Sequence, residues 1–117
     1  MCPVDASHPL NIRFLRSVLV WHNQEDARRI ADRLVEKRLA ACVQIVGPVT
    51  SVYRWQGKVE SAQEWQCLIK TRQGLVDDVE QAIREVHPYE LPEIIAVPIV
   101  AGSREYLIWL EEQTGQG

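Results

Sequence analysis

The sequence predicts an α+β fold in which an antiparallel sheet carries helices. Three observations support this expectation. Extended, β-branched segments alternate with amphipathic helical segments, a long hairpin occupies the middle of the chain, and 117 residues suit a single domain. Hydrophobic residues make up 46% of the chain and charged residues 25%, a balance typical of globular domains rather than of disordered chains.

The first strand and the first helix follow from residues 14–39. Residues 14–21 (FLRSVLVW) are apolar and β-branched, which predicts a strand buried on at least one face. Asn23 is a favourable N-cap, and Glu25 and Asp26 place negative charge in the first helical turn. Apolar residues then recur at helical spacing, which predicts a helix ending near Leu39: Ala27, Ile30, Ala31, Leu34 and Val35.

The middle of the chain predicts a long hairpin. Residues 41–55 and 59–71 are rich in β-branched and aromatic residues with a period near two, and residues 56–58 form the turn between them. Gly47 and Pro48 interrupt the first of these strands. Because proline cannot donate a hydrogen bond to a sheet, we expect a bulge or a bend there.

The last third of the chain predicts a helix, a strand and a final helix. Pro88 ends the second helix, because the residue before a proline avoids helical geometry. Residues 93–100 predict the fourth strand, with Pro98 indicating an edge or a bulge, and Ser103 caps a third helix. The first six elements match the β-α-β-β-α-β order of ferredoxin-like domains, here with an extra C-terminal helix.

These elements predict one domain and an incompletely covered sheet. We interpret residues 1–13 as a flexible N-terminal extension and residues 14–113 as a single domain. Two helices cover one face of a four-stranded antiparallel sheet, whereas apolar and aromatic residues, Tyr53 and Trp55 among them, remain for the other face. Another subunit is the simplest cover for that second face.

Charge and cysteine content exclude several classes of protein. Thirteen basic and 16 acidic residues give a net charge of −3, without the basic excess that a nucleic-acid-binding protein shows. We expect no membrane span, because no apolar run approaches about 20 residues. We also expect no signal peptide. The three cysteines are odd in number and widely separated, which favours a cytoplasmic protein with free thiols, and we interpret Cys42 and Cys67 as packing residues.

Four sequence blocks together resemble one known family. They are residues 39–45 (LAACVQI), residues 50–58 (TSVYRWQGK), residues 87–94 (HPYELPEI), and residues 106–110 (YLIWL) after Gly102. In this order they resemble the CutA family of divalent-cation tolerance proteins, over about residues 18–113. The resemblance implies a ferredoxin-like fold, a tightly packed homotrimer and a link to tolerance of copper and other divalent metals.

His87 is the strongest candidate for a metal ligand. Neutral imidazole is the commonest ligand of transition metals, and Pro88 restricts the backbone beside it. The competing interpretation is a helix C-terminal histidine that satisfies free carbonyl groups. Some family members have a cysteine at the end of the first strand and a second histidine before the Pro-Tyr pair, but this chain has Val20 or Trp21 and Val86 there. We therefore expect weak binding of copper or another divalent cation, and no metal required for folding.

A second group of candidates surrounds the hairpin and the strand ends. Aromatic residues beside an arginine, here Tyr53, Arg54 and Trp55, are typical of interfaces, and a pocket between subunits would let the same residues bind a ligand. The candidate ligand-binding or inter-subunit residues are Tyr53, Trp55, Lys70, Tyr89, Glu90 and Glu93. His22 and Cys2 are the alternative metal contacts.

Two functions remain open from the sequence. The first is a trimeric binding or regulatory protein without enzymatic turnover, similar in architecture to the PII signalling proteins, which holds a divalent cation or a small anionic ligand at its subunit boundaries. The second is a small enzyme that uses His87 as a general acid or base in an inter-subunit cleft. An enzyme needs an orienting partner for that histidine and a pocket beside it, and the sequence shows neither. We expect the first function.

Overall fold

The computed structural model describes residues 10, 12–86 and 93–115. Four antiparallel strands form one sheet in the order β2-β3-β1-β4, and their bounds are β1 Leu15–His22, β2 Cys42–Trp55, β3 Lys58–Arg72 and β4 Ile94–Pro98. Three helices accompany the sheet: α1 Gln24–Glu36, α2 Val76–Val86 and α3 Arg104–Gln113. This order and pairing confirm the ferredoxin-like α+β fold with its extra C-terminal helix.

The main core lies between the sheet and the pair α1 and α2. Val18 and Val20 of β1 are fully buried, and their partners across β3, Ile69 and Cys67, are fully buried on the same face. Side chains alternate between the two faces of a strand, so this face takes every second residue of the central strands. The helices complete the core with Ala27, Ile30, Leu34, Val79, Ala82 and Ile83.

Helix α1 begins as the sequence predicts but ends earlier. The Asn23 side chain accepts a hydrogen bond of 2.8 Å from the backbone N–H of Asp26, which confirms the N-cap. The helix ends at Glu36 rather than near Leu39. Arg38 has a left-handed backbone (φ 59°), and the Leu39 N–H turns back to the carbonyl of Leu34, a geometry that ends helices.

The β2–β3 hairpin projects beyond the rest of the sheet. Its register shifts between Val46 and Val49, which confirms the bulge at Gly47 and Pro48. Gln56 and Gly57 both have positive φ angles, of 49° and 81°, as a two-residue hairpin turn requires. Strand β1 pairs with β3 only as far as Trp65, so the part of the hairpin beyond this residue leaves the sheet.

Helix α3 packs against the opposite face of the sheet from α1 and α2. Leu107 and Leu110 form a second cluster with Leu15 and Ala41, and Leu15 lies on the other side of β1 from Val18. From the sequence, no helix of the chain is expected on this second face. In the structure, α3 covers one end of it. Ser103 takes the N-cap position of α3, but its side chain makes no capping hydrogen bond within the described residues.

Most of the second face remains exposed in the single chain. The alternation that places Leu15 on this face also places Leu19 and Leu68 there, paired directly across β1 and β3. Three further apolar residues on it are exposed at 45%, 47% and 37%: Val46, Ile95 and Val97. This apolar surface, called the second face below, borders the root of the projecting hairpin.

We expect Gly47→Ala to destabilise the fold. A Cβ atom at this position would overlap the indole ring of Trp65, which packs against the main core. Such overpacking typically reduces the free energy of unfolding by about 1–3 kcal/mol. Chemical denaturation measures this loss, with Gly74→Ala as the control, because the space around Gly74 is open. Equal stability of the two variants would contradict the prediction.

Candidate functional site

A cleft opens where the projecting hairpin leaves the sheet. It has a volume of about 1090 Å³ and is called the corner cleft below. Three segments line it: residues 21–23 at the end of β1, residues 51–55 and 62–64 of the hairpin, and residues 93–95 at the start of β4. The cleft exists because β1 ends at His22, so residues 58–64 of β3 have a partner strand on only one side among the described residues.

Aromatic side chains dominate one wall of the corner cleft. The strand register places Tyr53 and Trp55 on the same face of the sheet as Trp21. Tyr53 and Trp55 are both exposed, although aromatic rings gain most when they are buried. Half-exposed aromatic residues at the edge of an apolar surface are typical anchors for a binding partner.

Polar groups lie among these rings. Glu64 accepts a hydrogen bond of 3.0 Å from the Ser51 hydroxyl, which fixes one carboxylate across the hairpin. Glu93 is an exposed carboxylate immediately before β4. Arg54 also borders the cleft, but the strand register places it on the opposite face of the hairpin from Tyr53 and Trp55. The corner cleft can therefore offer carboxylate oxygens to a cation.

His22 lines the same cleft from the end of β1. It is only 3% exposed, and it lies next to Asn23, the residue that caps α1. The Asn23 amide also donates a hydrogen bond of 3.0 Å to the buried carboxylate of Asp26, and Arg29 lies 3.5 Å from that carboxylate. These contacts fix the backbone on which the imidazole is carried.

The structure brings together only some of the candidate residues. Tyr53, Trp55 and Glu93 meet in the corner cleft. Lys70 pairs with Ser17 and Cys42, four residues along β3 from the partner of Trp21, which places it ~13 Å from the cleft. Three candidates, together with the alternative contact Cys2, lie outside the described residues, and their roles stay predictions: His87, Tyr89 and Glu90.

The described residues do not by themselves form a metal centre. Among residues 10, 12–86 and 93–115, no group of three or more His, Cys, Asp or Glu side chains is placed to hold a metal ion. The donors that line the corner cleft are the carboxylates of Glu64 and Glu93, whereas both ring nitrogens of His22 are buried from solvent. Carboxylate oxygens suit divalent cations. This donor set fits a divalent cation, but tight binding needs further ligands.

Two residues that line the cleft are not among the site candidates that the sequence provides. The sequence indicates only a possible metal-ligand position at Trp21 and a helix cap at Asn23, yet both residues line the cleft. One sequence feature could indicate that these two residues line a site: both lie at the end of a strand that precedes a long hairpin. This feature locates the cleft only when β1 is known to pair with β3 rather than with β2.

Cys67 has a purely structural environment. It is fully buried in the main core, and its Sγ lies 3.9 Å from the carbonyl oxygen of Ala27. Burial raises the pKa of this thiol to about 11, so it stays protonated and unreactive near neutral pH. This confirms the interpretation of Cys67 as a packing residue.

Comparison with known proteins agrees with this fold. The family model described as CutA1 divalent ion tolerance protein matches residues 17–113. The divalent-cation tolerance protein CutA of Thermus thermophilus is 52% identical over 93 residues, which cover 80% of this chain and 90% of that protein. Protein CutA of Homo sapiens is 45% identical over 92 residues, which cover 79% of this chain but only 51% of the human protein.

Solved structures show the same similarity. The cation tolerance protein of Thermus thermophilus superposes with a TM-score of 0.83 at 49% identity, covering 86% of this chain and 99% of that chain. CutA from Synechococcus elongatus superposes with a TM-score of 0.83 at 34% identity, covering 96% of this chain and 100% of that chain. In the described residues, none of the helices is both long and apolar enough to cross a membrane. The chain belongs to the CutA1 family of divalent ion tolerance proteins.

Proposed function

We propose that this chain assembles into a homotrimer that binds a divalent cation weakly at its subunit boundaries, and that it acts in metal tolerance by binding rather than by catalysis. One observation carries the proposal: the apolar second face lies open in the single chain and continues into the corner cleft. Membership of the CutA1 family supplies the cation chemistry.

The second face supports assembly with further copies of the chain. Val46, Ile95 and Val97 leave apolar area in contact with water, and contiguous apolar area of this kind marks an interaction surface. Tyr53 and Trp55 stand beside this surface on the projecting hairpin. A hairpin that leaves its own sheet can contact a neighbouring subunit without losing contacts in its own core.

The donor groups support weak rather than tight cation binding. The carboxylates of Glu64 and Glu93 line the corner cleft. In a trimer each boundary would combine such groups from two chains, and His87 lies on the segment that precedes Glu93. Copper leads the divalent first-row metals in affinity for nitrogen and oxygen ligands, so we propose copper as the preferred cation.

We extend the proposal to a regulatory role resembling that of PII proteins and to a cytoplasmic location. The regulatory role rests on the shared ferredoxin-like architecture, which is an analogy of fold. The location rests on the free cysteines Cys42 and Cys67, since free thiols persist in reducing compartments. A structure of the Archaeoglobus fulgidus relative is described as periplasmic, so fractionation of the native host distinguishes the two compartments.

Calorimetric titration of the tag-free chain with copper tests the cation site. We expect His87→Ala to reduce the affinity at least about tenfold without unfolding the chain. The control His8→Ala, which removes the histidine of the N-terminal extension, should leave the affinity unchanged. We also expect binding to fade below about pH 6, because a protonated imidazole cannot coordinate a metal. If His87→Ala binds copper as well as the parent chain does, the site lies elsewhere, and His22→Ala and Cys2→Ser become the variants to test.

A further inference from the structure

Two arginines hold the C-terminal end of α3. Nη2 of Arg38 donates to the Glu112 carbonyl oxygen at 2.8 Å, and its Nε donates to the Gly115 carbonyl oxygen at 3.2 Å. Nη2 of Arg72 donates to the Thr114 carbonyl oxygen at 2.6 Å. In return, the Gly115 N–H donates to the Arg38 carbonyl oxygen at 2.7 Å. This pair of side chains, Arg38 and Arg72, is called the arginine clamp below.

The arginine clamp joins three elements that are distant in sequence. Arg38 follows the end of α1, and Arg72 is the last residue of β3. The last carbonyl groups of a helix lack partners within the helix and carry partial negative charge, so two guanidinium groups stabilise this end. The fit is close: Gly115 has a φ angle of 81°, and a Cβ atom there would overlap the guanidinium of Arg72.

Helix α3 packs in a cluster of its own, apart from the main core. Leu107 and Leu110 pack with Leu15 and Ala41, whereas the main core consists of residues from the sheet, α1, α2 and the residues next to them. The segment before α3, residues 100–103, is exposed, and the N-cap side chain of Ser103 makes no capping bond within the described residues. The small cluster and the clamp therefore both contribute to the attachment of α3.

Helix α3 covers one end of the second face. Leu15 is completely buried beneath it, although Leu15 faces away from the main core. The strand register places Cys42 on the same face as Leu15, because Leu15 pairs with Arg72 and Cys42 pairs with Lys70, two residues along β3. Cys42 lies at the start of β2 and is only half-buried.

We propose that α3 is a strap that opens as a unit while the rest of the fold stays closed, that the arginine clamp sets how often it opens, and that opening uncovers Leu15 and Cys42. Only ten residues form this helix, and helices of that length are marginal in water without tertiary contacts. A released α3 therefore loses its helical hydrogen bonds as well as its packing. This inference stands independently of the proposed trimer and cation site.

Hydrogen exchange measured by mass spectrometry tests the strap on the full chain carrying Cys2→Ser. The clamp variants are Arg38→Met and Arg72→Met, and the control is Arg28→Met, whose guanidinium pairs with Asp32 on the exposed side of α1. A hydrogen bond from a charged donor shifts an equilibrium by about tenfold or more. We expect amide exchange in α3 to accelerate by that factor in the clamp variants, while exchange in β1 changes less than about twofold.

A second variant and a second readout keep the test decisive. Gly115→Ala displaces the Arg72 guanidinium without removing a charge, so it must accelerate α3 exchange as the methionine variants do. The labelling rate of the half-buried Cys42 thiol must also rise, with the buried Cys67 as an unreactive internal reference. Equal acceleration in α3 and β1, no acceleration in α3, or unchanged Cys42 labelling would each overturn the proposal.

Discussion

Ile95→Asp is expected to dissociate the assembly into folded single chains at micromolar concentration. Ile95 lies on the second face opposite Leu19 and is 47% exposed, so its side chain contributes little to the core of its own chain. In the proposed trimer it becomes buried, and a carboxylate buried without a partner costs several kcal/mol. Sedimentation velocity measures the change in mass, and far-ultraviolet circular dichroism confirms that the chain remains folded.

Val100→Asp is the matched control for this variant. Val100 is 82% exposed and lies beyond the end of β4, outside the second face. The same charge at this position should leave the assembly intact. If both variants sediment like the parent chain, the second face is not the surface that joins the subunits.

Trp55→Ala is expected to weaken association by about 2–4 kcal/mol, the loss typical of a truncated tryptophan anchor in an interface. Trp55 ends β2 immediately before the turn at Gln56 and Gly57, on a part of the hairpin that has left the sheet. Its indole therefore cannot pack beneath α1 and α2 of its own chain. The dissociation constant of the trimer should rise by roughly 30-fold to 1000-fold, which dilution experiments with analytical ultracentrifugation measure.

Val59→Ala provides the comparison on the same hairpin. Val59 is 66% exposed, does not line the corner cleft, and lies on the opposite face of the ribbon from Trp55. Its truncation should change the dissociation constant little. If the dissociation constant of the trimer is the same for Trp55→Ala and for the parent chain, Trp55 is an ordinary surface residue.

Local features of the fold could be predicted because short stretches of sequence encode them. The Asn23 cap depends on a side chain and a backbone N–H that are three residues apart. The bulge at Pro48 depends on the backbone N–H that proline lacks. The end of α1 could not be placed, because Arg38 adopts a left-handed backbone that sequence signals associate with glycine. The side chain of Arg38 also donates hydrogen bonds to the C-terminal end of α3, which is distant in sequence.

Two of the three sequence candidates that line the corner cleft lie on one hairpin, and Glu93 immediately before β4 is the third. Tyr53 and Trp55 are neighbours in sequence, so their shared surface is visible from the period of the strand. Trp21 joins them only because β1 pairs with β3 in one particular register, which alternation does not reveal. The same register places Lys70 at the other end of the second face, near Cys42.

The position of α3 also depends on tertiary structure. Its apolar residues predict a helix with one buried side, but they do not specify which face of the sheet it covers. The structure shows that Leu107 and Leu110 pack over Leu15, so α3 reduces the open part of the second face. The remaining apolar surface extends from the edge of α3 to the corner cleft.

Sedimentation equilibrium of the tag-free parent chain at micromolar concentration tests the central claim most directly, because both the covered second face and the shared cation site require the trimer. The account predicts a single species with three times the 13.4 kDa mass of one chain. A species with the mass of one chain, unchanged as the concentration rises, would contradict it.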